Sequence, residues 1–500
     1  MISTITRSFR GHWKTIGLVA LALILRVCML NERGIWYDDA FSILLAKQPL
    51  GEIFSGTAAD TMPPLYYIML HYWMKISDQI FWIRSMNLLI FGFCLLYIFT
   101  LVKRISSKSA AWFAVLFCSL SPFLVYHSQE IRMYMLLVFF QTAYLFYFIN
   151  WSSENSNRRD WIGMMLCGAG ALYTHNLAVF GLLIPGVYLI CKRNFSRLWY
   201  WLGSFVISIV LFLPWLVYVP GQIEKIQTAF WTPRPGVLEV IQSIYSLFSF
   251  LPQPFPWVVI SGVLCFQLLG LLFWELFKQR HRFPYGGFLL LGIGFPPLIL
   301  FILSYFMRPV YVARGFILTA VMVYCLAGIL TARGWSTAFG KIILFLMVLL
   351  SGISLPFYYG FATFPRSPFA EACAAINHQV QDSDELVLVL HDNKLSYFPC
   401  VVYAPALGQT FLADEPGSHN DTLALASQQA MQIFPEASIQ TAVMGKSDIY
   451  FVVFTRALQE YADLKEGLYP PLQFLSNTYQ EMDIAYYNDL AVYHYGKKSD

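Results

Sequence analysis

Two short stretches of this chain carry side chains whose types and spacing could do chemistry. "WYDDAF" sets Asp38 and Asp39 side by side just after the first apolar segment, and "YHSQEIRMY" gathers His127, Glu130 and Arg132 within six residues. Paired carboxylates held against a bilayer repel each other and are costly to desolvate, so the pair points to use. The competing role is architectural: an aspartate opening a helix accepts backbone N–H bonds as an N-cap, which would account for Asp39. In the second stretch, an acid and a guanidinium fixed on a short hairpin could hold a phosphate, because arginine presents a planar fork of donors. A solvated turn with an internal Glu–Arg pair is the alternative. His175 in "ALYTHNLAVF" is either a ligand or a structural histidine, and Arg308 and Arg314 in "MRPVYVARGFILTA" are either functional or anchors to lipid headgroups. Pro63-Pro64 makes a stiff step into the aromatic run "LYYIMLHYW", which fits a loop folded back on the membrane.

The elements that must position these groups follow from composition. The 500 residues are 57% hydrophobic and 17% aromatic but only 12% charged, about half the charge of a soluble chain. Apolar stretches long enough for a hydrocarbon core of about 30 Å recur along the first 360 residues. Eleven spans are predicted, near 13–30, 80–101, 110–126, 132–149, 161–174, 177–190, 198–218, 256–276, 285–305, 314–331 and 340–358. The first begins like a secretory signal but lacks a small-residue cleavage site, so it reads as an uncleaved span. With the N-terminus cytoplasmic, sixteen Lys and Arg fall in short inner segments against ten in longer outer ones, the sense of the positive-inside rule. An odd span count then puts the C-terminal residues outside, on the face that carries "WYDDAF", "YHSQEIRMY", "YTHN" and "RPVYVAR". Nothing in a net charge of +4 points to a nucleic-acid partner.

The reading divides the chain into a membrane domain, 1–360, with a first outer loop at 31–79, and a soluble extracytoplasmic α/β domain, 361–500. In the latter, "AEACAAINHQV" and "RALQEYADLKEGL" have helical patterns, "DELVLVL" and "SDIYFVVFT" read as buried strands, and "DIAYYNDLAVYHY" alternates like a strand. Seven of the nine cysteines lie in or beside predicted spans, where a thiol behaves as a small apolar group. Cys373 and Cys400 lie in the tail and could pair if that compartment is oxidising. Asn420 opens an N-x-T sequon, which matters only in a eukaryotic secretory pathway.

In this order and spacing, "IWYDDAFSILLA", "PPLYYIMLHYW", "SPFLVYHSQEIRMYMLL", "YTHN" and "RPVYVARGFILTA" resemble the polytopic GT-C glycosyltransferases. The nearest branch would be the bacterial one related to protein O-mannosyltransferases and to aminoarabinose transfer onto lipid A. The resemblance covers roughly residues 10–358, and the tail matches only in type. It implies a sugar donor carried on polyprenyl phosphate, a lipid, glycan or protein acceptor, and reaction at the outer face of a plasma (inner) membrane. By position the family's catalytic aspartate is Asp38, while Asp39 stands where relatives carry glutamate. Glu130 joins them as a candidate catalytic residue, Arg132 and Arg314 as phosphate ligands, and Tyr66, His127, Gln129, Tyr134 and His175 as substrate contacts. Some relatives bind a divalent metal near a histidine before the Pro-Pro; here that position is Met62, which weakens the case for a cofactor.

Other polytopic classes predict different patterns. A lipid or glycolipid transporter or flippase should show internal repeats, broken helices and charges near the bilayer midplane, whereas these acids cluster at the outer edge. An O-antigen ligase should concentrate basic groups in one late loop. A membrane scaffold displaying the tail leaves the four polar clusters unexplained.

Overall fold

The computed structural model describes residues 17–153, 157–228, 232–279, 281–360, 368–380, 386–415, 418, 421–464 and 467–498. The basic start of the chain (Arg7, Arg10, Lys14), Arg280 and Asn420 lie outside the described residues. Packing divides the chain into two compact units. One comprises the described residues of Met1–Leu30 and Thr61–Gly360, the other those of Asn31–Asp60 and Phe361–Asp500.

The first unit is helical: α1 (Gly17–Val27), α4 (Leu65–Met74), α5 (Ile80–Ile105), α6 (Lys108–Leu120), α7 (Pro122–Gln129), α8 (Tyr134–Trp151), α9 (Arg158–Thr174), α10 (Ala178–Leu182), α11 (Ile184–Cys191), α12 (Phe195–Leu216), α13 (Val219–Thr228), α14 (Val237–Ser246), α15 (Phe255–Lys278), α16 (Gly286–Phe306), α17 (Ile317–Arg333, entered through a 3₁₀ turn, Ala313–Phe316) and α18 (Ala338–Gly360). Among the described residues seven of these, α5, α8, α12, α15, α16, α17 with its 3₁₀ turn, and α18, are long and apolar enough to cross a membrane. An eighth follows if α6 and α7, bent by 60° at their junction, form one span. Among the described residues the count of eleven is therefore not reached. The described part of the first predicted span is the short helix α1. The 161–174 segment is a 17-residue helix, α9, and the 177–190 segment breaks into α10 and α11 at Leu183, two residues before Pro185.

Local chemistry explains the bend that matters most. Pro122 has no N–H and forces the preceding residue away from helical geometry; Ser121 accordingly sits at ψ 117° and caps α7 by accepting the Leu124 N–H at 3.1 Å. α17 runs through the middle of the unit, with 94% of its span window buried. Small residues let it press against α6: a side-chain carbon on Gly328 would overlap the backbone of Ala114.

The second unit contains α2 (Tyr37–Ala46), α3 (Leu50–Ala59), α19 (Phe369–Gln379), β1 (Val387–His391), α20 (Lys394–Tyr403), β2 (Gln409–Phe411), α21 (Leu425–Met431), α22 (Ile439–Ala442), β3 (Asp448–Phe454), α23 (Thr455–Leu464), α24 (Pro470–Thr478), β4 (Gln480–Tyr487) and β5 (Leu490–Gly496). The five strands form one sheet in the order β2-β1-β3-β5-β4, with β1 parallel to β2 and β3 and the β4–β5 hairpin antiparallel. Alternation along β1 and β3 feeds two cores. Leu388, Leu390, Ile449, Phe451 and Val453 face α24. Val389, Tyr450 and Val452 face Phe369, Ala372, Cys373 and Ile376 of α19. Cys373 and Cys400 form a disulfide between α19 and α20.

Candidate active site

The bent α6–α7 pair delivers His127, Ser128 and Gln129 to the end of a short helix, and the chain then turns through Glu130–Met133 into α8. His127, Glu130, Arg132 and Tyr134 are each 6% exposed or less, so this turn is packed rather than solvated. Within it the Glu130 carboxylate meets the His127 ring, Oε2 to Nδ1 at 2.6 Å. That ring is walled by Phe123, Tyr126 and Tyr134, with centroids 4.5–5.0 Å away. Arg132 donates from Nη1 to the Tyr67 hydroxyl at 3.3 Å.

Tyr134, at the start of α8, is the point on which the other groups converge. The Arg314 guanidinium lies 6.0 Å from the centre of its ring and the His175 ring 6.3 Å away. His175 follows the last residue of α9 and is 4% exposed. Burial first, then the positive charges of Arg132 and Arg314, lower its pKa to about 3. The Leu177 backbone N–H donates to its Nδ1 at 3.1 Å, so the neutral ring carries its proton on Nε2. Arg132 and His175 are buried and Arg314 is half-buried; two guanidinium groups and a neutral N–H donor are the kinds of group an anion would need, and such contacts count for more where water is scarce.

Asn87 was missed in the sequence and organises much of this. From the interior of α5 its amide donates to the carbonyls of Glu130 and Arg132 and lies 3.2 Å from the hydroxyl of Tyr66. An asparagine inside the apolar run "IRSMNLLIF" was the available signal, because a polar residue within a span must find partners. Gln129 has a scaffold role: its amide donates to the carbonyls of Arg26 and Cys28, and it accepts from the Tyr358 hydroxyl. Arg26 is fully buried and donates to the carbonyls of Ala22, Cys118 and Ser119. The Pro63-Pro64 step leads into helix α4, whose Tyr66 is buried. Asn176, beside His175, ties that step down by donating to the Thr61 carbonyl at 2.9 Å. Arg308 donates instead to the carbonyls of Gln227 and Thr228.

Asp38 and Asp39 belong to the second unit, in the first turn of α2. Neither is the N-cap; that position is Trp36, whose side chain makes no capping bond. Carboxylates in a first turn still lie at the positive end of the helix dipole, a favourable charge–dipole arrangement. Asp39 is 2% exposed, Asp38 is half-buried, and the Asp38 carbonyl accepts the Ser42 hydroxyl at 2.8 Å.

Among the described residues no three His, Cys, Asp or Glu side chains gather as a metal-ligand group. A cavity of about 590 Å³ lined by Gly17, Leu18, Ser109, Trp112, Phe113, Ala332 and Trp335 lies at the other ends of α6 and α17 from the hairpin.

Among known structures, the chain superposes on ArnT from Cupriavidus metallidurans bound to undecaprenyl phosphate with a TM-score of 0.64, at 13% identity, covering 97% of this chain and 98% of that one. At this identity the likeness is one of fold, shared over nearly the whole of both chains. A second structure, the Archaeoglobus fulgidus oligosaccharyltransferase tethered to an acceptor peptide with an NVT sequon, matches with a TM-score of 0.52, at 12% identity over 98% of this chain and 74% of that one. Residues 61–218, which include the hairpin and the "YTHN" turn, match the family model described as dolichyl-phosphate-mannose-protein mannosyltransferase. No curated protein matches significantly.

Proposed function

We propose that this protein is a membrane glycosyltransferase that moves a sugar from a polyprenyl-phosphate carrier to an acceptor hydroxyl on the extracytoplasmic face of a plasma membrane. The observation that carries the reading is the convergence of Arg314 and neutral His175 on Tyr134, beside the Glu130–His127 pair and with the Arg132 charge near enough to act on His175. The GT-C fold supports it, as does a solved relative of that fold holding undecaprenyl phosphate.

The chemistry follows from what each group offers. The acceptor oxygen attacks the anomeric carbon and forms the new glycosidic bond as the bond from that carbon to the phosphate oxygen breaks. Asp38 takes the proton from the acceptor hydroxyl. The electron pair of the broken bond leaves on the lipid phosphate, already a weak base, which needs charge stabilisation more than a proton. Arg132 and Arg314 supply that, with the His175 Nε2–H as a third donor. Glu130 orients His127 and, with Tyr66 and Tyr134, shapes the sugar site; Gln129 and Asn87 hold the hairpin in place. A single displacement inverts the anomeric centre. The disulfide Cys373–Cys400 supports an oxidising compartment for the second unit, in line with the charge asymmetry of the loops.

The test compares the wild type with Asp38→Asn in nanodiscs, using radiolabelled sugars on synthetic polyprenyl phosphates and following both transfer and hydrolysis. The mutant should bind the donor and fail to turn it over. Equal binding with no turnover by either protein across a broad donor and acceptor panel would move lipid transport ahead of transfer, and a product of retained configuration would eliminate the single displacement.

A further inference from the structure

The helix that presents the acidic pair packs against residues more than 300 positions away in the sequence. Residues 31–60 pack with the C-terminal residues as one compact unit, α3 against α21 and α2, with the turn that bears Asp38 and Asp39, against α20. Just before it, the Ile35 backbone N–H donates to the Tyr403 hydroxyl at 2.9 Å. Trp36 packs between Phe369 and Phe454, with ring centres 5.9 and 6.1 Å away. On the helix itself, the fully buried Phe398 ring meets Tyr37 edge-on at 5.1 Å and Phe41 in a stacked arrangement at 6.3 Å. Tyr37 and Phe41 are one helical turn apart and bracket both aspartates. Phe398 and Tyr403 lie on one helix, α20, and Cys400 between them ties that helix to α19.

We propose that the C-terminal domain is the seat of the acidic pair, and that Phe398 and Tyr403 are positioning residues that set the direction in which α2 presents Asp38. This rests on the reading of Asp38 as the base. A carboxylate acts as base only within hydrogen-bond reach of its proton, and a misplacement of about 1 Å can slow a reaction by roughly 100-fold. A ring wedged between two residues of the same helical turn controls that turn's rotation and height, whereas the Tyr403 hydroxyl fixes the backbone entering it.

The experiment uses the full-length protein in nanodiscs and reads kcat, donor affinity and Tm for Phe398→Leu and Tyr403→Phe. Phe398→Leu should lower kcat by about 100-fold, and Tyr403→Phe, which removes one hydrogen bond, by about 2- to 12-fold, with donor affinity within twofold of wild type in both. If Phe398→Leu does not fold, Tyr403→Phe decides. Placed on an Asp38→Asn background, Tyr403→Phe should leave the residual rate unchanged, because the group it positions is gone; a merely destabilising change would lower it further. A kcat within experimental error of wild type, or a fall in kcat matched by an equal loss of donor affinity, overturns the proposal. Failure of the underlying reading looks different: Asp38→Asn alone then keeps the wild-type rate, whatever the α20 variants do.

Discussion

His175 is expected to act as a neutral donor throughout the working pH range. With an ordinary pKa near 6.5, about three quarters of its rings would be cationic at pH 6. Burial and the charges of Arg132 and Arg314 bring the value to about 3, at which only about one ring in a thousand is cationic at pH 6. The Leu177 N–H on Nδ1 leaves Nε2–H as the group available to an anion. A hydrogen bond to a charged partner contributes about 1.5–3 kcal/mol, so His175→Ala should weaken binding of undecaprenyl phosphate roughly 10- to 150-fold. His175→Gln, whose amide nitrogen reaches about as far as Nε2, should recover much of that. The assay is lipid-phosphate binding to detergent-solubilised wild type, Ala and Gln variants, with kcat/KM followed from pH 5.5 to 8. An acidic limb near pH 6–7 that disappears in His175→Gln would refute the argument, since it would show the ring titrating where the structure holds it neutral. Equal affinities for Ala and Gln variants and wild type would refute the donor role.

Three further outcomes are expected. Replacing Cys373 and Cys400 together by serine opens a link across 27 residues of sequence; the loss should be about 2–4 kcal/mol, read as a Tm drop of several degrees and reproduced in the wild type by a reductant. His391 is fully buried between Ser396 and Gln409, and burial lowers its pKa to about 4. Between 6.5 and 4 the unfolded chain binds a proton that the folded one refuses, so stability falls as pH drops through that window, by about 2 kcal/mol at pH 5; His391→Gln should flatten this slope in thermal melts between pH 7.5 and 5. Gly328→Val should cost about 1–3 kcal/mol through overpacking against Ala114 and reduce the monodisperse yield on size exclusion, whereas Gly294→Val, a helix position with open space around it, should lose far less.

Much of the molecule was legible in one dimension because the physics involved is local. Twenty apolar residues in a row must hide backbone polar groups in a helix, so the spans from 198 to 358 appear close to where hydropathy puts them. The short apolar runs in "DELVLVL" and "SDIYFVVFT" became β1 and β3, since a brief apolar run behind a polar boundary fits a strand buried on both faces. His127 and Glu130 meet because three residues bring the end of a helical turn round to the start of the next segment. The count of spans was less legible: hydropathy registers how apolar a segment is, not where Pro122 or a break at Leu183 cuts it short.

What tertiary structure alone decided is which distant groups share a neighbourhood. Sequence composition determined a helical membrane chain with an α/β appendage and marked the polar clusters, since burying a charge is costly enough to leave a trace in any apolar run. It could not determine that Asn87 reaches the carbonyls of Glu130 and Arg132 more than forty residues away, or that Arg314 and His175 meet over Tyr134. Nor could it determine that Ile35 is held by Tyr403 across 368 residues of sequence. Such contacts are won in the packing of elements against one another, where shape and hydrogen-bond satisfaction act between segments that carry no mark of each other in the chain.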